Sequence, residues 1–140
     1  MRENFKLIVP GKPEYVGAVR LAISLVASNA GFDIEAIEDI KVAVSEACTN
    51  IVRHGCTEFN DGEHIEYNVD CEIEKDKLSI IIDDNGVGYD LNKYKEPKIP
   101  AETAGGLGIF IIRALMDEVE VESEEGIGTH IRMVKYIQEM

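Results

Sequence analysis

The hydrophobic pattern changes its period along the first third of the chain. Residues 5–9 alternate around three apolar positions, which predicts a short strand. Beyond the turn at residues 10–13, apolar residues recur every three or four positions up to Gly31 and again, from an expected N-cap at Asp33, up to Gly55. This spacing predicts two consecutive amphipathic helices. The positions expected to be buried on the second helix are Ile34, Ile37, Ile40, Val44, Cys48 and Ile51.

The pattern then returns to strands. Residues 65–73 alternate strictly, residues 74–77 form a polar turn, and residues 78–82 are apolar apart from one serine, which predicts a hairpin with a central second strand. Residues 89–104 are polar and without period. A long irregular segment inside a compact domain is usually functional. A third helix from residue 105 to about residue 116 and two strands, at residues 119–123 and 128–135, complete the chain.

The element order is therefore β-α-α-β-β-loop-α-β-β. Runs of strands joined by short turns predict antiparallel pairing, and the helices must bury their apolar stripes against the resulting sheet. The sequence predicts a single α+β domain over residues 1–140, a two-layer sandwich with one sheet and helices over one face. The alternating βαβ order of a doubly wound fold is not present.

Composition narrows the partners and the compartment. The chain carries 14 basic and 27 acidic residues, a net charge of −13, which argues against nucleic acid as the main partner because phosphate contacts need clustered cations. The apolar run of residues 107–115 is too short to cross a bilayer, and residues 1–13 lack a signal-peptide core. Three cysteines without CxxC spacing fit a reducing compartment. We expect a cytoplasmic protein.

The C-terminal half of the second helix carries the first candidate site. Glu46 and Asn50 are four positions apart, so they share one helix face, with Arg53 one step further along it. An amide oxygen suits Mg²⁺. A glutamate can accept a proton, and Arg53 and His54 can face phosphate. An ordinary solvated helix face has the same spacing, so this helix alone leaves both interpretations open.

The second candidate motif, Asp84-Asn85-Gly86-Val87-Gly88, ends the central strand. A plain turn explains these residue types. Alternatively, the Asp84 carboxylate accepts a hydrogen bond from the amine of a base such as adenine, while Gly86 and Gly88 let the backbone pass close to the ring. Thr129 could reach the same pocket from the last strand, or be an ordinary strand threonine.

The third candidate motif, Gly105-Gly106-Leu107-Gly108, opens the third helix. The free N–H groups and partial positive charge of a helix N-terminus suit phosphate, and glycines leave room for it. A simple helix entry is the competing interpretation. The motif is not a P-loop, since no Lys-Ser/Thr follows, and its spacing does not match the dinucleotide fingerprint.

The three motifs gain meaning from their order. Glu46-x-x-x-Asn50, then Asp84-x-Gly86-x-Gly88, then Gly105-Gly106-Leu107-Gly108 resembles the N, G1 and G2 boxes of the GHKL (Bergerat) ATP-binding fold. The compact form, with Ser45-Glu46-Ala47 leading into Asn50 and Met116-Asp117-Glu118-Val119 after the third helix, resembles bacterial anti-sigma-factor serine kinases over nearly the whole chain. The resemblance implies a mixed, mostly antiparallel sheet with three helices on one face.

The resemblance also implies the ligands. ATP or ADP and Mg²⁺ bind beneath a lid at residues 89–104, with Asn50 ligating Mg²⁺ and Asp84 reading adenine. The lid departs from the family in offering the phosphates only lysines and no arginine. The residues expected to line the nucleotide are Arg53, His54, Gly86, Gly88, Gly105, Gly106, Leu107, Gly108 and Thr129.

The same resemblance implies the partners. Glu46 acts as the base toward a serine on an anti-anti-sigma protein of the STAS type, a homodimer sequesters a sigma factor, and Arg20 belongs to the partner surface. Two alternatives remain. The first is a nucleotide-gated binding module without turnover. The second is the detached catalytic domain of a histidine kinase, which the missing dimerisation helices and the short lid disfavour.

Overall fold

The computed structural model describes residues 2–53, 66–84, 104–124 and 128–138, with residues 104–106 and 124 described by their backbone alone. The elements follow the predicted order. They are β1 (Glu3–Pro10), a 3₁₀ turn (Pro13–Tyr15), α1 (Val16–Ala30), α2 (Ile34–Ile51), β2 (Glu66–Ile73), β3 (Lys77–Asp84), α3 (Ala104–Leu115), β4 (Glu118–Glu124) and β5 (Gly128–Tyr136).

The five described strands form one sheet in the order β1-β2-β3-β5-β4, and each of the four pairings is antiparallel. The mixed sheet that we expected is thus wrong in one detail, because no two described neighbours run parallel. β3 and β4 do run in the same direction, as a crossover through α3 requires. However, β5 lies between them and pairs antiparallel with both. The α+β sandwich is otherwise confirmed.

The inner face of the sheet is built from residues that pair in register across all five strands. One such row consists of Leu7, Val69, Ile82, Ile131 and Val121. The next row consists of Phe5, Cys71, Ile80, Met133 and Val119. Period-two alternation places these side chains on one side. The buried residues that the helices add to the same core are Val19, Ile23, Ala27, Ile40, Ala43, Val44, Ala47, Cys48, Ile51 and Ile112.

The junction between α1 and α2 follows its local sequence signals. Gly31 ends α1 with φ of 104°, a left-handed conformation that glycine adopts without strain. The Asp33 side chain then caps α2, its Oδ1 accepting a hydrogen bond from the Ala36 N–H at 2.8 Å. Both predictions are confirmed. The predicted stop of this helix at Gly55 lies outside the described residues.

One predicted core position is wrong. Ile34 is 81% exposed. It is the first residue of α2, and the helix reaches the core only further along, where Ile37 is partly buried and Ile40 fully buried. Helical period alone does not say where along its length a helix meets the sheet.

Candidate active site

One end of the inner sheet face is polar. Tyr67 pairs with Asp84 across β2 and β3, and Ser123 pairs with Thr129 across β4 and β5. The Thr129 N–H donates to Asp84 Oδ1 at 3.4 Å, and the hydroxyls of Thr129 and Ser123 are 2.8 Å apart. Asp84 is 3% and Thr129 1% exposed. Burying a carboxylate at the edge of an apolar core costs free energy. Because stability alone does not favour such a group, this row is a candidate binding site.

Gly128 makes the close approach to Asp84 possible. Its φ is 131°, and a Cβ at this position would lie 2.3 Å from the Asp84 carbonyl oxygen and 3.1 Å from Oδ1. No side chain fits there without moving the strand that carries the carboxylate. Thr129 was among the predicted site residues, whereas Gly128 was not. The available signal was a glycine at the first position of the last strand.

The C-terminal half of α2 lies over this polar end. The Cys48 side chain on α2 lies beside Tyr67, the neighbour of Asp84. Burial raises the pKa of the Cys48 thiol to about 12, and the nearby Tyr67 side chain only partly offsets that rise. Burial raises the pKa of Cys71 to about 12 as well, with the nearby Asp70 charge adding to it. These two thiols are therefore protonated core residues.

Glu46, Asn50 and Arg53, which the helical spacing places on one face of α2, differ in burial. Arg53 is exposed and Glu46 is half-buried, but Asn50 is only 4% exposed. The N-terminal part of α3 packs on this face.

Gly108 on α3 lies close to both Glu46 and Asn50 on α2. A Cβ built on it would lie 3.1 Å from Glu46 Oε1 and 3.9 Å from Asn50 Nδ2. At the other end of the same helix pair, Lys135 Nζ donates to the Leu115 carbonyl at 2.6 Å and lies 3.7 Å from Asp39 Oδ2. The two helices therefore run antiparallel. This arrangement places the glycine motif at the start of α3 against Glu46 and Asn50 on α2.

The other predicted site residues divide into three groups. Leu107 is half-buried on α3, while Gly105 and Gly106 lie in its first turn, where the third motif was expected to open the helix. Arg20 lines a groove of about 520 Å³ between α1 and α2. The full lining is Pro13, Val16, Gly17, Arg20, Ser45, Thr49, Val52 and Arg53. His54, Gly86, Gly88 and residues 89–103 of the lid lie outside the described residues.

Within residues 2–53, 66–84, 104–124 and 128–138, no three or more His, Cys, Asp or Glu side chains gather as a metal cluster. A single protein ligand such as Asn50 remains compatible with Mg²⁺, which usually keeps waters and nucleotide phosphates as its other ligands. In the same part of the chain, no helix has the length and apolar character to cross a membrane.

The fold class of the chain follows from its match to a family model. The family model of the histidine kinase-like ATPase domain matches residues 9–135. That match covers α2, β3, α3 and β5, the four elements that carry the candidate site. It confirms the fold that the order of the three motifs predicts.

Sequence relatives narrow the class to a family. A serine-protein kinase RsbW from Oceanobacillus iheyensis is 47% identical over 145 residues, covering 98% of this chain and 89% of its own. RsbW proteins from Listeria innocua and Bacillus pumilus are 44% and 43% identical, covering 99% and 98% of this chain and 90% of each relative. The chain belongs to the RsbW family of serine-protein kinases.

Solved structures agree on the fold. The RsbU and RsbW domains of a Mycobacterium tuberculosis protein match 98% of this chain with a TM-score of 0.71 at 16% identity, covering 33% of that chain. A blue-light activated histidine kinase from Erythrobacter litoralis matches 88% of this chain with a TM-score of 0.56 at 22% identity, covering 41% of that chain. At these identities the likeness concerns the arrangement of helices and strands.

Proposed function

We propose that residues 1–140 act as one ATP-binding domain, an ATP-dependent serine-protein kinase that is also an anti-sigma factor. Its substrate is an anti-anti-sigma protein of the STAS type. The observation that carries this proposal is the meeting of Glu46, Asn50 and Gly108 above the buried Asp84 row, in a chain related at 41–47% identity to serine-protein kinases.

The residues present fit a nucleotide. Asp84 offers a buried carboxylate to the adenine amine, and Gly128 leaves the room that this carboxylate occupies. Asn50 provides the amide oxygen for Mg²⁺, and the N-terminal turn of α3 provides N–H groups for phosphate. We extend this lining to Arg53, His54, Gly86, Gly88, Gly105, Gly106, Leu107 and Thr129. When bound, Mg²⁺ supplies charge that stabilises the transferring phosphoryl group.

Glu46 performs the proton step. As the serine Oγ–phosphorus bond forms and the bond from the γ-phosphorus to the ADP oxygen breaks, a Glu46 carboxylate oxygen takes the hydroxyl proton. Glu46 is half-buried beside α3, so its carboxylate is held at the site and remains reachable by a partner. A positioned base of this kind contributes about 10²–10⁴-fold.

The partner surface is the groove between α1 and α2. Arg20 and Arg53 line it, and Ser45, the neighbour of Glu46, lines it too. A protein bound there places its serine near the base. Because Arg20 and Arg53 both line the groove, their positive charges locally offset the net charge of −13 and favour an acidic partner there. The sigma factor is the second partner, and all of these proteins meet in the cytoplasm.

A second copy of the chain completes the assembly. Leu21 and Leu25 are 65% and 62% exposed on one face of α1. Because residues four apart lie one above the other, the pair forms an apolar stripe that a homodimer would cover. Analytical ultracentrifugation of the wild type and of Leu25→Glu tests this, since we expect a dimer for the wild type and a monomer for the variant. A wild type that is monomeric at tens of micromolar, roughly the Kd of a weak dimer, would contradict the proposal.

The kinase proposal is tested by phosphate transfer. The purified protein is incubated with γ-labelled ATP, Mg²⁺ and soluble extract of its source cells. We expect acid-stable label on the serine of a small protein, lost with Glu46→Gln although ATP binding persists. ATP binding without label on any protein would instead support a nucleotide-gated module. Acid-labile label would support a histidine kinase domain.

A further inference from the structure

Gly108 stands in the helix α3, where glycine is a poor choice. It is buried, four residues after the helix begins at Ala104. Glycine in a helix interior loses more conformational entropy than alanine and is unfavourable there. The room that it leaves is filled from the neighbouring helix, because a Cβ on Gly108 would come within 3.1 Å of Glu46 Oε1.

We propose that Gly108 is a positioning residue for the base. Its missing side chain lets the Glu46 carboxylate lie directly against α3, which sets the place from which that carboxylate takes the serine proton. The inference rests on the proposed function, since it assigns a task to Gly108 only if Glu46 is the base. It differs from a nucleotide-lining role, in which the glycine would make room for phosphate.

The distances separate these two roles. A methyl group at residue 108 would meet Glu46 Oε1 at 3.1 Å, closer than ordinary van der Waals contact, and Asn50 Nδ2 at 3.9 Å, within ordinary contact. The methyl therefore displaces the base by a few tenths of an ångström and leaves the Mg²⁺ ligand where it is. A displaced base lowers kcat, whereas a loss of phosphate contacts weakens the affinity for the nucleotide.

The first experiment measures the kinetics of Gly108→Ala. We expect kcat for phosphate transfer to fall roughly tenfold or more, because small displacements of reacting groups are costly. We expect KM for ATP to stay within about twofold, since binding energy is not removed. Alanine is the better helix former, so the melting temperature should hold or rise. Ala114→Gly, an exposed one-methyl change on the same helix, is the matched control and should keep the wild-type kcat.

The second experiment asks whether the methyl acts through Glu46. Glu46→Asp shortens the side chain by one methylene and withdraws the carboxylate from residue 108. Alone, it should lower kcat. Combined with Gly108→Ala, it should be no slower than Glu46→Asp alone, because the clash is gone. Such non-additivity is the signature of two residues that act as one unit.

The outcomes distinguish this inference from the proposed function. If Glu46→Gln transfers phosphate as fast as the wild type, the base assignment fails and the role of Gly108 fails with it. If Glu46→Gln is inactive but Gly108→Ala keeps the wild-type kcat, only the role of Gly108 is overturned. A raised KM for ATP with unchanged kcat, or a fully additive double variant, overturns it as well.

Discussion

The two halves of α2 hold their polar residues in opposite ways. In the N-terminal half, Asp33 caps the helix and Glu38 pairs with Lys41 at 3.0 Å, all at the surface. In the C-terminal half, Asn50 is 4% exposed and Glu46 is half-buried against Gly108. The apolar stripe fixes which face of the helix meets the sheet. The third helix decides which part of the opposite face stays in water.

This difference has an energetic meaning. Exposed caps and ion pairs keep most of their hydration, so they cost little to place. A buried amide or carboxylate loses water and recovers only what its protein contacts provide. The C-terminal half of α2 therefore carries polar groups that cost stability, which is expected of residues with the proposed roles in binding and catalysis.

The largest stability effect should come from the apolar stripe of the N-terminal half. Ile40 is 0% exposed, whereas Ile34 on the same helix is 81% exposed. We expect Ile40→Ala to lower the free energy of unfolding by about 2–5 kcal/mol. Ile34→Ala should change it by less than about 0.5 kcal/mol. Urea unfolding of both variants measures the contrast, and similar losses for the two would place the core boundary elsewhere.

The next effect concerns the buried amide of the C-terminal half. Asn50→Ala removes the proposed Mg²⁺ ligand, and we expect ATP affinity in Mg²⁺ to fall by about 1.5–3 kcal/mol, the range for hydrogen bonds to charged groups. That is roughly a 10- to 150-fold weaker Kd. Titration calorimetry with and without Mg²⁺ makes the measurement. An unchanged affinity in Mg²⁺ would remove Asn50 from the metal site.

Local signals were enough for the boundary between the two helices. Gly31 and Asp33 act through their own backbone and side chain, so their roles could be predicted without knowing the fold. The order of elements follows from hydrophobic period for the same reason. The three motifs could be placed near one another only through the family resemblance, because no local rule brings α3 onto α2.

Features that depend on packing could not be predicted. The burial of Asn50 and the fit of Gly108 against Glu46 exist because α3 covers α2. The position of β5 between β3 and β4 depends on how the last strand enters the sheet. Gly128 has its role because Asp84 lies beside it in space, far away in sequence. Each of these is a contact between elements, and the period of one element holds no information about it.

The helix cap gives a smaller and purely local effect. Asp33→Ala removes the acceptor of the Ala36 N–H bond of 2.8 Å. We expect a loss of about 0.5–2 kcal/mol in unfolding free energy. ATP affinity should stay the same because the cap lies at the end of α2 away from Glu46. Asp33→Asn, which can still cap, is the matched control and should recover most of the loss. An altered ATP affinity would show that the two halves are coupled.

The smallest expected stability effect comes from one substitution, glutamate to glutamine, made in each half of α2. Glu38→Gln weakens an exposed ion pair with Lys41, the glutamate being 60% exposed. Its expected cost of about 0.2–0.5 kcal/mol should vanish in about 1 M salt, where the screening length is about 3 Å. Glu46→Gln makes the same chemical change on the same helix, and we expect it to leave stability similar while transfer falls about 10²–10⁴-fold. A salt-insensitive loss at Glu38, or a loss of transfer there equal to that at Glu46, would mean that the division of α2 into a structural and a functional half is wrong.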